Sequence, residues 1–275
     1  MVNNTFQIAV KEFDNLLSNR FIIIIFTVYI IIMSINAYFD YFVINLPDII
    51  HYEGAGVSNS NFLNGLSFIL IYYGTAIAVI IGFCSISIEK KSNTLNTLIT
   101  KPLYRDTVIN GKLIGCALFL CLVSLLASMM YLSEWMVLMG NIIDLPIYTF
   151  LFDTIVVLLV SWVCQLIFLS TSMFLSIIIK DDVLALFAGM FIYIFMINII
   201  SNASFALSLG NIFGSHWTGF IAGLGPDNLA YGIIKNSNDL IGNYPGYISN
   251  VVNLMAYLVI SIVLSYIAFM RRDIA

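Results

Sequence analysis

Six long, unbroken apolar runs constrain this sequence more than any other feature. They cover Phe21–Val43, Phe62–Ile88, Leu113–Ser133, Thr154–Ile179, Val183–Ala203 and Tyr247–Met270. Each is near the roughly 20 residues that a helix needs to cross a bilayer. Within hydrocarbon, backbone N–H and C=O groups are satisfied only inside helices or a closed barrel. The runs are continuous rather than alternating in polarity, so helices are expected. Composition agrees: 61% of the residues are hydrophobic and 9% charged, against about 25% charged in a soluble domain. The first run lacks a small-residue cleavage site and is read as a retained helix. The fold expected is all-α and polytopic, with six transmembrane helices in a single domain over residues 1–275.

Charge placement orients the spans. With the N-terminus in the cytoplasm, Lys11, Arg20, Lys90, Lys91, Lys101, Arg105, Lys112, Lys180, Arg271 and Arg272 all fall inside, and of the 11 basic residues only Lys235 falls outside. Asp40, Asp48, Glu53, Glu134, Asp144, Asp227 and Asp239 fall outside. Both termini are therefore expected in the cytoplasm of a multi-pass plasma-membrane protein. Residues 204–246 carry Gly210, Gly214, Gly219, Gly223 and Gly225, too many glycines for a lipid-facing span. A crossing there would also carry Arg271 and Arg272 outside. The segment is read as outward or re-entrant, bent near Gly225-Pro226. Its Gly210-x-x-x-Gly214 and Gly219-x-x-x-Gly223 pairs suit close helix contact, and an irregular apolar loop is the other reading.

Two segments are expected on the cytoplasmic side. In residues 1–20, Phe6, Val10, Phe13 and Leu17 fall on one helical face, opposite Gln7, Lys11, Asp14, Asn15 and Ser18. That pattern describes an interfacial helix on the inner leaflet, serving as a surface anchor or as a device that passes motion into span one. In residues 89–112, Ser92 or Asn93 can cap a short helix whose apolar stripe is Leu95, Leu98 and Ile99. Pro102 interrupts it, and Asp106 can cap the helix that continues through Lys112 into span three.

This second segment resembles the permease subunits of ABC-2 type transporters. Their pattern sets an acidic residue at the end of span two, then Thr-Leu, a proline, an arginine three residues on, and Gly-Lys before span three. Glu89, Thr94, Leu95, Pro102, Arg105, Gly111 and Lys112 match in order, and Arg271-Arg272-Asp273 is similar to the family's usual ending. Asn93 stands where the family commonly has glycine. The resemblance implies a membrane-spanning permease subunit of an ATP-binding cassette transporter, exporting a substrate that the sequence does not name. Two separate ATPase subunits would dock on a coupling helix between spans two and three, and a second permease, identical or homologous, would complete the pathway. The residues implied in ATPase coupling are Glu89, Thr94, Leu95, Leu98, Ile99, Pro102 and Arg105.

The alternative is a polytopic scaffold or assembly factor without a transport cycle. The sequence has no G-x-x-x-x-G-K-[ST] phosphate loop, so ATPase activity is expected only from partner subunits. Its two histidines, His51 and His216, form no H-E-x-x-H motif. No catalytic, cofactor or metal site is expected, and the lipid bilayer rather than nucleic acid is the expected environment. Cys84, Cys116, Cys121 and Cys164 all lie in apolar runs and read as packing residues. No charge is expected at the middle of a span. Asn36, Gln165 and Asn198 read as interhelical hydrogen-bonding residues.

Overall fold

In a computed structural model, residues 2–44, 59–91, 105–139, 147–214, 223–235 and 244–271 are described. They form helices, with no strand among them. In chain order these are α1 (Val2–Ser18), α2 (Arg20–Ile44), α3 (Asn59–Phe68), α4 (Gly74–Lys91), α5 (Arg105–Met139), α6 (Ile147–Ile178), α7 (Asp182–Ile194), α8 (Ala203–Phe213), α9 (Pro226–Lys235) and α10 (Tyr244–Arg271). A π-helical stretch, Ile69–Tyr73, joins α3 to α4 without a break, and another, Phe195–Ile200, extends α7.

Six of these helical segments are long and apolar enough to cross a membrane: Arg20–Phe42, Phe62–Ile88, Asp106–Leu138, Ile147–Ile178, Asp182–Ile200 and Ile248–Arg271. The six expected spans are therefore present, but two are longer than expected. The helix of span three runs from Arg105, in line with the helix expected from Asp106 through Lys112, and continues to Met139 rather than ending at Ser133; span four starts seven residues before Thr154. At 1.5 Å per residue α5 is roughly 52 Å long, well beyond the roughly 30 Å of a hydrocarbon core. Polar residues at its ends ride on continuing helix because nothing there breaks the backbone.

Span two is the central element. It is 72% buried, against 17% for spans five and six. Its α4 portion packs along α6, and α6 also carries α10 and α7. Lipid tails are as apolar as leucine, so helix association in a bilayer rests on close packing and interhelical hydrogen bonds. Both are present: Ser172 Oγ donates to Val79 O at 2.5 Å, and Trp162 Nε1 donates to Ala117 O at 3.0 Å. An aromatic group in which Phe62 stacks on Tyr131 and meets Trp135 and Phe150 closes one end of the bundle.

The wide π-helical turn of span two releases carbonyls from the regular ladder, and neighbouring side chains take them up. Gln165 Nε2 donates to Leu70 O at 3.1 Å, Thr75 Oγ1 donates to Ile71 O, and Tyr193 OH donates to Tyr72 O at 2.9 Å. Gln165 thus bonds between helices. Asn36 instead donates to Ile32 O of its own helix at 2.8 Å.

The two ends of the bundle differ in charge. Lys90, Lys112, Lys180 and Arg271 lie at the end where α4 finishes and α5 begins, hereafter the basic end. Asp40, Glu134, Asp153 and Asp227 lie toward the opposite, acidic end. Asp153 is 1% exposed within α6, close to that helix's start rather than its middle.

Candidate coupling region at the basic end

Five residues implied in coupling, Thr94, Leu95, Leu98, Ile99 and Pro102, lie outside the described residues. Their two flanks are placed: Glu89 is in the last turn of α4 and Arg105 opens α5. What the structure adds is the frame around these flanks.

Lys112 is its centre. Its side chain is 1% exposed, and its Nζ donates to Glu12 Oε2 of α1 at 3.0 Å and to Ser85 O of α4 at 2.8 Å. One ammonium therefore joins three helices. A cavity of about 260 Å³ opens beside it, between Asn15 and Asn19 of the N-terminal segment and Ile88 of α4.

The contact between α1 and α5 is close because α5 presents two glycines one helical turn apart. A Cβ at Gly111 would stand 2.7 Å from Ile8 Cγ2, and one at Gly115 would stand 2.6 Å from Ala9 O. Ile8 against Gly111, Ala9 against Gly115 and Phe13 against Phe119 (ring centroids 6.0 Å apart) place the two helices parallel. The buried face of α1 is therefore Ala9, Glu12 and Leu16, with Phe13 half-buried beside it. Phe6, Val10 and Leu17 remain exposed. Phe13 thus leaves the single apolar face expected from the sequence. The helix has two apolar surfaces, one spent on α5 and one open to the surroundings.

Two further attachments fix the same end. Lys90 Nζ donates to Ile179 O at 2.9 Å, to Lys180 O at 2.6 Å and to Asp182 Oδ1 at 3.1 Å. It covers carbonyls at the C-terminus of α6, where a cation opposes the partial negative charge of the helix end. Asp181, whose side chain accepts from Val183 N at 2.9 Å, caps the start of α7. Asp106, the second residue of α5, accepts from Tyr266 OH of α10 at 2.7 Å. The two helices that bracket residues 92–104 are thereby fastened to α1, to the α6–α7 turn and to α10.

Sequence reasoning counted Lys112 and Lys90 as orienting charges and left Glu12 out. A local signal existed: Gly111-x-x-x-Gly115 around a lone lysine is a small-residue pair at helical spacing. The partner, 100 positions away in sequence, carried no mark.

An all-α bundle with six membrane-length helices, a buried second span and a fastened end around the loop between spans two and three defines a polytopic membrane subunit. The sequence profile described as ABC-2 family transporter protein matches residues 6–274. The chain belongs to that family, and is a permease subunit of an ABC transporter. No curated protein matches it.

Proposed function

We propose that this permease works as an exporter powered by two separate ATPase subunits that dock at residues 89–105, with a second permease, identical or homologous, forming the pathway. On this reading the basic end faces the cytoplasm at the plasma membrane, both termini lie inside, and residues 204–246 form the outward or re-entrant segment. Residues 1–20 are the interfacial helix, with Phe6, Val10 and Leu17 toward the inner leaflet. Leu95, Leu98 and Ile99 form the ridge that enters an ATPase groove; Glu89, Thr94, Pro102 and Arg105 set its geometry.

The observation that supports this most is Lys112. A buried cation bonded at once to α1, α4 and α5 joins both flanks of the docking loop to the N-terminal helix. Displacement of the loop then moves spans two and three together.

The test is replacement of Leu95 and Leu98 by Asp. Burying two leucine-sized side chains is worth roughly 3–6 kcal/mol before association costs, and a carboxylate does not tolerate the same desolvation. The variant should insert normally and lose the ATPase on co-purification. Full recovery of the ATPase together with transport would remove the loop from the docking role. Altered membrane packing with intact ATPase recovery would assign the ridge to the inner leaflet.

A further inference from the structure

At the acidic end the two π-helical stretches converge on one carboxylate. Tyr72, in the stretch of span two, donates its hydroxyl to Asp227 Oδ2 at 3.0 Å; Ser201, just beyond the stretch of span five, donates to Asp227 Oδ1. Asn228 Nδ2 donates to Ser201 O at 3.1 Å and holds the start of α9 against span five. Asp227 is 6% exposed. Burial raises its carboxyl above the ordinary range, and the groups that oppose this among the described residues are the Ser201 and Tyr72 hydroxyls and backbone N–H groups at the start of α9. Lys235 stands at the other end of that helix, roughly 12 Å along its axis.

Beside this carboxylate lies a cavity of about 220 Å³, partly open, between span two and α9. Asn64, Ser67, Phe68 and Tyr72 line it at helical spacing from span two, and Asp227 and Tyr231 line it one turn apart on α9. Phe68 and Tyr72 rings sit 4.6 Å apart, and both Phe68 and Tyr231 are exposed rather than packed away. Among the described residues, the lining contains one anion, three aromatic rings and amide and hydroxyl groups, with no basic residue.

We propose that this cavity is a binding site for a small organic cation, a primary or quaternary amine, with Asp227 as the counter-charge and Phe68, Tyr72 and Tyr231 as the ring faces. Among the described residues the carboxylate is met by neutral donors, and such a carboxylate attracts a cation. Ring faces add attraction that tolerates methylated nitrogen, which no hydrogen-bonding cage supplies. The volume is below the roughly 300–1,000 Å³ of drug-sized sites, which limits the ligand to a compact amine. The wide turn of span two places Tyr72 where its hydroxyl reaches α9; π-bulges recur at functional sites for such displacements. Binding at this end does not depend on the docking loop, so its failure leaves the exporter reading untouched.

The test uses the full chain in nanodiscs of zwitterionic lipid, with choline as probe and 3,3-dimethylbutan-1-ol, its uncharged isostere, as control. Saturation-transfer NMR against empty nanodiscs reads binding. Saturable choline binding is expected, with the isostere weaker by about tenfold or more. Tyr231→Ala, which breaks no hydrogen bond to Asp227, should weaken choline by about fivefold with normal folding. Asp227→Asn should abolish the preference for charge. Absent choline binding, equal binding of probe and isostere, or unchanged affinity in Tyr231→Ala overturns the assignment.

Discussion

Replacing Lys112 by Met keeps the length of the side chain and removes its charge. Glu12, 8% exposed, then loses its 3.0 Å ammonium partner inside the joint of α1, α4 and α5. Removing one member of a buried ion pair typically costs about 3–5 kcal/mol, because the remaining charge is left in a poor solvent. Replacing both by apolar residues of similar volume is often neutral or better. The double variant Glu12→Leu/Lys112→Met should therefore recover most of what Lys112→Met loses. At about 2 °C per kcal/mol for a chain of this size, the single variant should melt roughly 6–10 °C lower. Tryptophan fluorescence of purified chain during a thermal ramp reads this, with wild type, both single variants and the double run as one cycle. The coupling energy of that cycle isolates the pair. The reasoning fails if Lys112→Met melts with the wild type, or if the double variant is destabilised by the sum of the singles.

Gly115→Leu should detach α1, since even its Cβ would stand 2.6 Å from Ala9 O; protease cleavage within residues 2–18 should rise sharply, and unchanged protection counts against the packed arrangement. Burial raises the Asp227 carboxyl above its ordinary value of 3.8, opposed by the Ser201 and Tyr72 hydroxyls. A raised folded value gives stability that is fully present below the unfolded value and is lost as pH climbs through the folded one. Protection of α9 amides from hydrogen exchange, corrected for intrinsic rates, should therefore fall as pH rises through that range, and Asp227→Asn should flatten the profile. Cysteines introduced at Ser60, Asn141 and Asn238 should label with an impermeant reagent from outside, and those at Ser92 and Ala275 should not; outside labelling at Ala275 reverses the topology.

The spans were legible because a bilayer demands continuous apolar helix, and continuous apolar sequence is a direct record of that demand. Their lengths were less legible. The helix leading into span three was read from Asp106 through Lys112, but its finish at Met139 lies six residues beyond Ser133, although residues 134–139 are apolar apart from Glu134. The packed face of α1 was hidden as well. A helix that meets protein on one side and its surroundings on another is apolar twice, and Phe6, Val10 and Leu17 outweigh Ala9 and Leu16 in any count of hydrophobicity. Gln165 was recognised as an interhelical donor, whereas Asn36 was misjudged, because the choice between a neighbour's carbonyl and one's own depends on tertiary spacing. The π-helical turns had no local signal. In span two the freed carbonyls of Leu70 and Tyr72 are held by Gln165 and Tyr193 on other helices, so that turn's geometry belongs to the packing and not to the segment alone.

Span three has a mechanical consequence. It runs without a break from Arg105 beside the loop to Met139. Lys112 is clasped near its start, and Tyr131 bonds Asp40 at 3.1 Å near its finish. A stiff rod about 52 Å long converts rotation into displacement. Pivoting by about 5° at the loop end sweeps the far end through about 4.5 Å, close to one helical pitch. Small angular work at one face of the membrane thus becomes a side-chain-sized shift at the other, with no signal relayed from residue to residue.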